Sequence, residues 1–409
     1  MKEWSTYKLG TLCSITSSKR IFADEYRDSG IPFYRGKEII ELQKGSNISS
    51  ELYISAERYN EIKKKHGVPM KGEMLLTSVG TLGIPYIVND ENFYFKDGNL
   101  TWFRNFNGIE PMYLYYWFLS PEGKAQIDSK AIGSTQKALT IDCLSKFDIN
   151  LPSLEIQRKI IGVLHSIDNK IRNNRQINDN LEQQAQALYK SWFVDFDPFK
   201  GGDFIDSEIG EIPAGWSIVK FGDITEIPKK TINPQRFPDS TFYHYSLPAC
   251  DNGLIPEIQA GKDIMSNKII LQNNTTLFSK LNPRIKRIWF TCEVLPNSIC
   301  STEFIPFRAK DDNESSYIFS IVNSDAFYAT VMGCVNGATG SHQRFHAEDT
   351  EDFLCPYNKD VVNEFSKLIE PILSQMHDLR HENVMLASTR DTLLPKLMSG
   401  ELKINEIDG

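Results

Sequence analysis

Trp4-Ser5-Thr6-Tyr7-Lys8-Leu9-Gly10-Thr11-Leu12-Cys13-Ser14-Ile15 returns 212 residues later as Trp216-Ser217-Ile218-Val219-Lys220-Phe221-Gly222-Asp223-Ile224-Thr225-Glu226-Ile227, with Trp, Ser, Lys, Gly and Ile in the same places. A repeat at a fixed offset marks a duplicated structural unit. Near the end of each half, Gly133-Ser134-Thr135-Gln136-Lys137 is answered by Gly340-Ser341-His342-Gln343-Arg344. Between them, Leu75-Leu76-Thr77-Ser78 is a weaker counterpart of Leu277-Phe278-Ser279-Lys280. Each half then passes through a proline, Pro152 or Pro356, into a long helical pattern. The order is globule, helix, globule, helix.

The first helical stripe runs Ile160, Leu164, Ile167, Ile171, Asn174, Asn178, Leu181, Ala185, Leu188, in alternating steps of four and three. The second runs Val361, Phe365, Leu368, Ile372, Gln375, Leu379, Glu382, Leu386, with Pro371 expected to kink or restart it. This spacing is the seam of a coiled coil, and polar residues inside a seam fix register and partner at some cost in stability. Neither helix can bury its stripe alone, so the two are expected to pair antiparallel. The globules read as α+β. Strands are expected at Met74-Leu75-Leu76-Thr77, Tyr86-Ile87-Val88, Asn92-Phe93-Tyr94-Phe95 and Arg287-Ile288-Trp289-Phe290-Thr291, with helices over Tyr113–Leu119 and Glu122–Ser129.

A chain of 409 residues with 41% hydrophobic content exceeds one ordinary core, so two or three domains are expected. No long apolar run or leader-like start is seen, which points to the cytosol without a membrane partner. Seven scattered cysteines without a Cys-x-x-Cys pair read as reduced thiols. The net charge of −8 is uneven: +1 over 1–150 (19 basic, 18 acidic), 0 over 151–199, −6 over 200–356 (14 basic, 20 acidic) and −3 beyond. Phosphate neutralisation by Lys and Arg supplies most non-specific nucleic-acid affinity, so any DNA binding by this chain alone should be modest.

Leu151-Pro152-Ser153-Leu154-Glu155-Ile156-Gln157-Arg158-Lys159-Ile160 followed by Ser166-Ile167-Asp168-Asn169-Lys170-Ile171, then Gly210-Glu211-Ile212-Pro213-Ala214-Gly215-Trp216, then Thr392-Leu393-Leu394-Pro395-Lys396-Leu397-Met398-Ser399-Gly400-Glu401-Leu402, resemble in order the signatures of type I restriction-modification specificity subunits. The resemblance covers the whole chain. It implies two target-recognition domains, 1–150 and 200–356, a central conserved helix at 151–199, and a C-terminal conserved helix and tail at 357–409. It further implies a pseudo-twofold α+β fold around two long antiparallel coiled-coil helices, double-stranded DNA as ligand, two modification (methyltransferase) subunits as partners, and motor-nuclease subunits for restriction. The subunit itself would be non-catalytic, without a cofactor or metal of its own. A helix of about 35 residues spans roughly 50 Å, comparable with about 15 base pairs. Unlike halves held at such an interval would read a bipartite, asymmetric site.

Base readout needs Arg or Lys for guanine and Asn or Gln for adenine. The repeated loop offers Gln136 with Lys137 and Gln343 with Arg344, while Ser134, Thr135, Ser341 and His342 could hold phosphates. Further candidates are Arg35 and Lys37 in Tyr34-Arg35-Gly36-Lys37, Ser78 and Thr81 in Ser78-Val79-Gly80-Thr81, and Lys280, Asn282, Arg284 and Lys286 in Lys280–Arg287. Trp4 and Trp216 read as core anchors, because duplex readout seldom needs stacking. His377 and His381 have zinc spacing but lack His-Glu-x-x-His and a third ligand. Phe193-Val194-Asp195-Phe196-Asp197-Pro198-Phe199 is a faint echo of an amino-methyltransferase motif and reads better as a sealed helix end. Glu401-Leu402-Lys403 has nuclease spacing in a tail, and no phosphate-binding Gly-x-x-x-x-Gly-Lys-Ser/Thr loop is present. The rival readings are a self-contained methyltransferase or nuclease, and a coiled-coil scaffold without a DNA role.

Overall fold

The computed structural model describes residues 4–43, 45, 48, 52–133, 137–335 and 343–404. The chain divides into two compact units, Met1–Arg172 with Leu386–Gly409, and Asn173–Met385. Among the described residues no helix is long and apolar enough to cross a membrane.

In the first unit an antiparallel sheet runs in the order Ser14–Thr16, Leu100–Arg104, Met74–Thr77, Pro85–Ile87. Its strand Met74–Thr77 is buried throughout, without alternation, because both faces are covered. Leu75 and Trp102 join one buried cluster with Tyr34, Ile39 and Phe95. Met74, Leu76 and Phe103 join another with Trp117, Phe118, Phe147, Ile160, Leu164 and Leu397. A smaller sheet holds Ile31–Tyr34 between Tyr53–Ile54 and Tyr94–Phe95, the last pair parallel.

The second unit has the same plan. Its antiparallel sheet runs Thr225–Glu226, Phe304–Ala309, Thr275–Ser279, Ile288–Thr291. Its other sheet has five strands and again contains one parallel pair, Thr241–Tyr245 with Ser298–Cys300. Helices Pro111–Leu119 and Pro121–Lys130 share Ser120 as stop and start, and Ser315–Asn323 and Asp325–Gly333 share Ser324 in the same way. In each case the serine hydroxyl accepts from the third backbone N–H of the second helix, an N-cap. A hairpin, Phe204–Ser207 with Gly210–Pro213, precedes the second Trp-Ser repeat and had no strand signal of its own.

The repeated residues have matched structural tasks. Trp4–Lys8 pairs with Asp148–Pro152, and Ser217–Lys220 with Leu354–Tyr357. Lys8 meets Asp148 at 2.7 Å and Lys220 meets Asp352 at 2.7 Å. The Leu9 N–H donates to the Phe147 carbonyl (2.9 Å), and the Phe221 N–H to that of Phe353 (2.8 Å). Gly10 and Gly222 lie against the chain: an added Cβ would stand 2.8 Å from the Ser145 Cβ and 3.2 Å from the Glu351 Cβ, respectively. Trp216 is buried among aromatic rings that include Phe193, Phe196 and Phe199. Trp4 is partly buried, against Gly400.

The long helices are Leu154–Phe193 and Lys359–Ser399. Within the first unit Asp168 binds Arg390 at 2.9 Å, and Ile160 and Leu164 join one core with Leu394 and Leu397. Within the second, Asn174 donates to Glu382 (2.7 Å) and Asn383 (3.0 Å), and Tyr189 and Phe193 pack on Phe365. The two helices are antiparallel in each unit. Of the first seam Ile160, Leu164, Ile171, Asn174, Asn178 and Ala185 are buried and Ile167, Leu181 and Leu188 partly so, with Gln157, Tyr189 and Phe193 buried beside them.

The second seam departs from its expected phase. Between 361 and 386 the buried positions are Val362, Phe365, Ser366, Ile369, Leu373 and Met376, while Leu368 is 49% exposed and Gln375 is exposed. Adjacent apolar pairs at 361–362, 368–369 and 372–373 allow either phase, and packing selects the later one in each. Nor does Pro371 interrupt the helix. It stands at an exposed position, where water can satisfy the carbonyl freed one turn earlier. The seven cysteines are free, and Cys13, Cys250, Cys300 and Cys355 are buried.

Candidate nucleic-acid interface

Main-chain bonds gather distant segments at one end of the antiparallel sheet in each unit. In the first, the Lys96 N–H donates to the Tyr34 carbonyl (2.8 Å), the Ser78 N–H to that of Asn99 (2.8 Å), and the Leu139 N–H to that of Ser78 (2.9 Å). Val79 bridges Ala138. Arg35 to Lys37, Ser78 to Thr81, the turn Lys96–Asn99 and the residues around Ala138 are thereby brought together. Gly80, at φ +80°, lets the chain turn back after the strand.

The second unit repeats this frame. The Ser301 N–H donates to the Tyr245 carbonyl (3.0 Å), and the Lys280 N–H to that of Glu303 (2.9 Å). Leu281 bridges Arg344, and the Asn282 N–H donates to the Gln343 carbonyl (2.9 Å). Lys280 thus occupies the place of Ser78, Glu303 that of Asn99, and Arg344 that of Ala138. Phe345 and Leu139, the next residues, are both buried. The loop equivalence expected from sequence, Lys137 with Arg344, is off by one position: Lys137 falls where Gln343 does. A one-residue shift in a paired segment exchanges the faces to which side chains point.

The expected contact residues divide by what already engages them. Arg35 spends two donors on Glu38, Nη2 to Oε1 at 2.7 Å and Nε to Oε2 at 3.4 Å, and its N–H also donates to that carboxylate. Burial would raise the Glu38 pKa, but the bonds from Arg35 hold this carboxyl below its ordinary range. Lys37 lies 3.7 Å from Glu41 and stays exposed. Thr81 and Lys137 are exposed. Ser78 is buried, with its hydroxyl between Thr101 Oγ1 (2.5 Å) and the Leu76 carbonyl (3.1 Å), so it braces the strand end instead of facing solvent.

In the second unit Lys286 donates to the carbonyl of Asn323 (2.6 Å), the last residue of a helix, where a cation is favoured. It therefore ties the Lys280–Arg287 segment to that helix. Arg344 is held by Glu303 through Nη2 (3.0 Å) and Nε (3.2 Å). Asn282 adopts φ +49° to turn the segment. Lys280 and Arg284 have no ion-pair partner among the described residues, and Arg284 is exposed. Thr135, Gln136 and His342, with Ser134 and Ser341, lie outside the described residues.

Residues with no individual signal in sequence also belong here. Arg20 pairs with Asp97 at 2.9 Å while 66% exposed, and the neighbouring Lys19 N–H donates to the Tyr94 hydroxyl (2.7 Å). Lys19, Arg20 and Lys96 thus add to Arg35 and Lys37. Only the dipeptide Lys19-Arg20 after a serine-rich stretch hinted at them. Glu303 had no hint at all. His377 and His381 face each other at 4.3 Å, and burial together with the neighbouring imidazole holds His377 below its ordinary pKa. No cluster of three or more metal-ligating side chains occurs among the described residues.

Residues 1–183 match the family model of the type I restriction modification DNA specificity domain. Over 425 residues the chain is 26% identical to the type I restriction enzyme MjaIX specificity subunit of Methanocaldococcus jannaschii, covering 99% of this chain and 95% of that one. It is 21% identical over 486 residues to the HindI specificity subunit of Haemophilus influenzae, covering 98% and 100%. The solved type I restriction-modification S subunit of M. genitalium shares the fold, with a TM-score of 0.59 over 96% of each chain at 13% identity.

Proposed function

We propose that the chain is a type I restriction-modification specificity subunit, the non-catalytic, DNA-reading member of such a complex, and that each of its two units reads one block of a bipartite target. The observation that carries this reading is the twice-built frame at the sheet end, matched in two main-chain bonds and one bridge and different in side chains. Equal frames bearing unequal readers suit an asymmetric site. Arg35, Lys37, Thr81, Lys137, Lys280, Arg284, Gln343 and Arg344 remain the proposed contacts, with Gln136, Thr135 and His342 beside them. Ser78, Lys286 and the turn residue Asn282 support the frame from within.

The helices Leu154–Phe193 and Lys359–Ser399, each roughly 60 Å at 1.5 Å per residue, suit a spacer between the blocks. Two modification subunits would dock on this chain, with motor-nuclease subunits joining for restriction, all in the cytosol with the DNA. The acidic balance of 200–356 supports the need for partners to complete the grip. Exchanging residues 1–150 for those of a relative with another target tests the reading. Genome-wide mapping of methylated bases should then show one block replaced and the other retained. Replacement of both blocks, or of neither, refutes it.

A further inference from the structure

Arg287 meets Asp251 through the same edge of its guanidinium but is only 15% exposed, whereas the Arg344–Glu303 pair leaves its arginine open to solvent. Glu303 spans Nε and Nη2 at 3.2 and 3.0 Å, the side edge of the guanidinium. That leaves the end edge, Nη1 with the outer hydrogen of Nη2, unspent. Two parallel N–H groups on that edge match the O6 and N7 acceptors of guanine in the major groove. The pair is anchored at both ends by main chain, since Arg344 bridges Leu281 and the Glu303 carbonyl accepts from Lys280. Arg344 remains 45% exposed while Glu303 is 29% exposed, so the acid lies behind the base.

We infer that Glu303 is a positioning residue for specificity: it holds the Arg344 fork aimed at one guanine and cancels the free charge that would otherwise seek phosphate. This rests on the reading of the chain as a DNA-sequence reader and adds which residue aims the contact. The corresponding places in the first unit hold Ala138 and Asn99, so that unit cannot use the device there. Its nearest relative is Arg35 with Glu38, but Glu38 is fully buried and also binds backbone, which makes its removal a structural change. Glu303 can be altered with less disturbance, because an exposed ion pair contributes little to stability.

The experiment uses the full complex with modification subunits, and measures methylation of the cognate duplex and of every single-base variant in the block read by the second unit. Glu303→Gln keeps the shape but puts an NH2 donor where one of the two acceptor oxygens stood, so the parallel Nε and Nη2 bonds cannot both be kept. Discrimination at one G·C pair should fall roughly 5- to 150-fold, the range of one bidentate base contact, with other positions unchanged. Arg344→Lys, which keeps charge and loses the fork, should lose the same discrimination while assembling normally. In an Arg344→Ala background Glu303→Gln should add nothing. Unchanged discrimination in either single variant, loss spread over many positions, or an equal effect of Glu303→Gln without Arg344 would overturn the inference while leaving the wider reading intact. A wild-type complex that methylates without any sequence requirement would overturn both.

Discussion

Lys19 and Lys96 offer the sharpest measure of how the first unit engages DNA. Their ammonium groups have no ion-pair partner among the described residues, whereas Arg20 already shares its charge with Asp97. Each lysine laid on a phosphate would release about 0.9 of a counterion, so Lys19→Ala with Lys96→Ala should reduce the slope of log affinity against log salt by roughly 1.8. Between 50 and 200 mM salt, a fourfold change, that is about a tenfold difference in how much affinity is lost. The assay is titration of the assembled modification complex onto cognate and scrambled duplexes at four salt concentrations. Both duplexes should weaken alike, because phosphate contacts carry no sequence information. A slope equal to that of the wild type would refute the placement of these lysines on the DNA, and selective weakening of the cognate duplex would refute their role as phosphate contacts.

Gly10→Ala should destabilise the first unit by about 1 to 2 kcal/mol, since overpacking against Ser145 at 2.8 Å costs more than the helix gains from alanine. Gly222→Ala, facing Glu351 at 3.2 Å, should be close to neutral; denaturant unfolding that shows the reverse order would discount the close approach as the reason for the repeated glycine. Glu38 has a folded-state pKa below its ordinary value, so its contribution to stability is present above the ordinary carboxylate range and is lost as pH falls through the lowered value. Acid unfolding of Glu38→Gln should therefore be flatter over that window, and an unchanged acid profile would remove Glu38 as a source of it.

The duplication was legible because its signals are local. Trp, Ser, Lys and Gly recur within one short string, so the string alone identifies the element, although partners such as Asp148 and Ser145 lie far along the chain. The seam of the helix Lys359–Ser399 was legible in kind and wrong in phase: Leu368 and Ile369 are equally apolar, and only the packing of Ile369 into the second-unit core separates them. The loop equivalence failed for a related reason, since a shared Gly-Ser-x-Gln string outweighed a register that only the Val79–Ala138 and Leu281–Arg344 pairings fix. Lys96 and Glu303 enter the site through main-chain bonds to residues distant in sequence, Tyr34 in the one case and Lys280 in the other. No window of sequence contains both partners. Ser78 and Lys286 had the right chemistry for DNA and are occupied by the protein itself.

The bonds that shape the sheet-end turns run from amide to carbonyl. Joints of that kind are indifferent to what hangs from them, so a serine, a lysine, an asparagine or a glutamate can occupy the same bracket without the scaffold registering the exchange. Such a mount lets one molecule acquire a new vocabulary piecemeal, one half at a time, with nothing beneath it needing to be rebuilt.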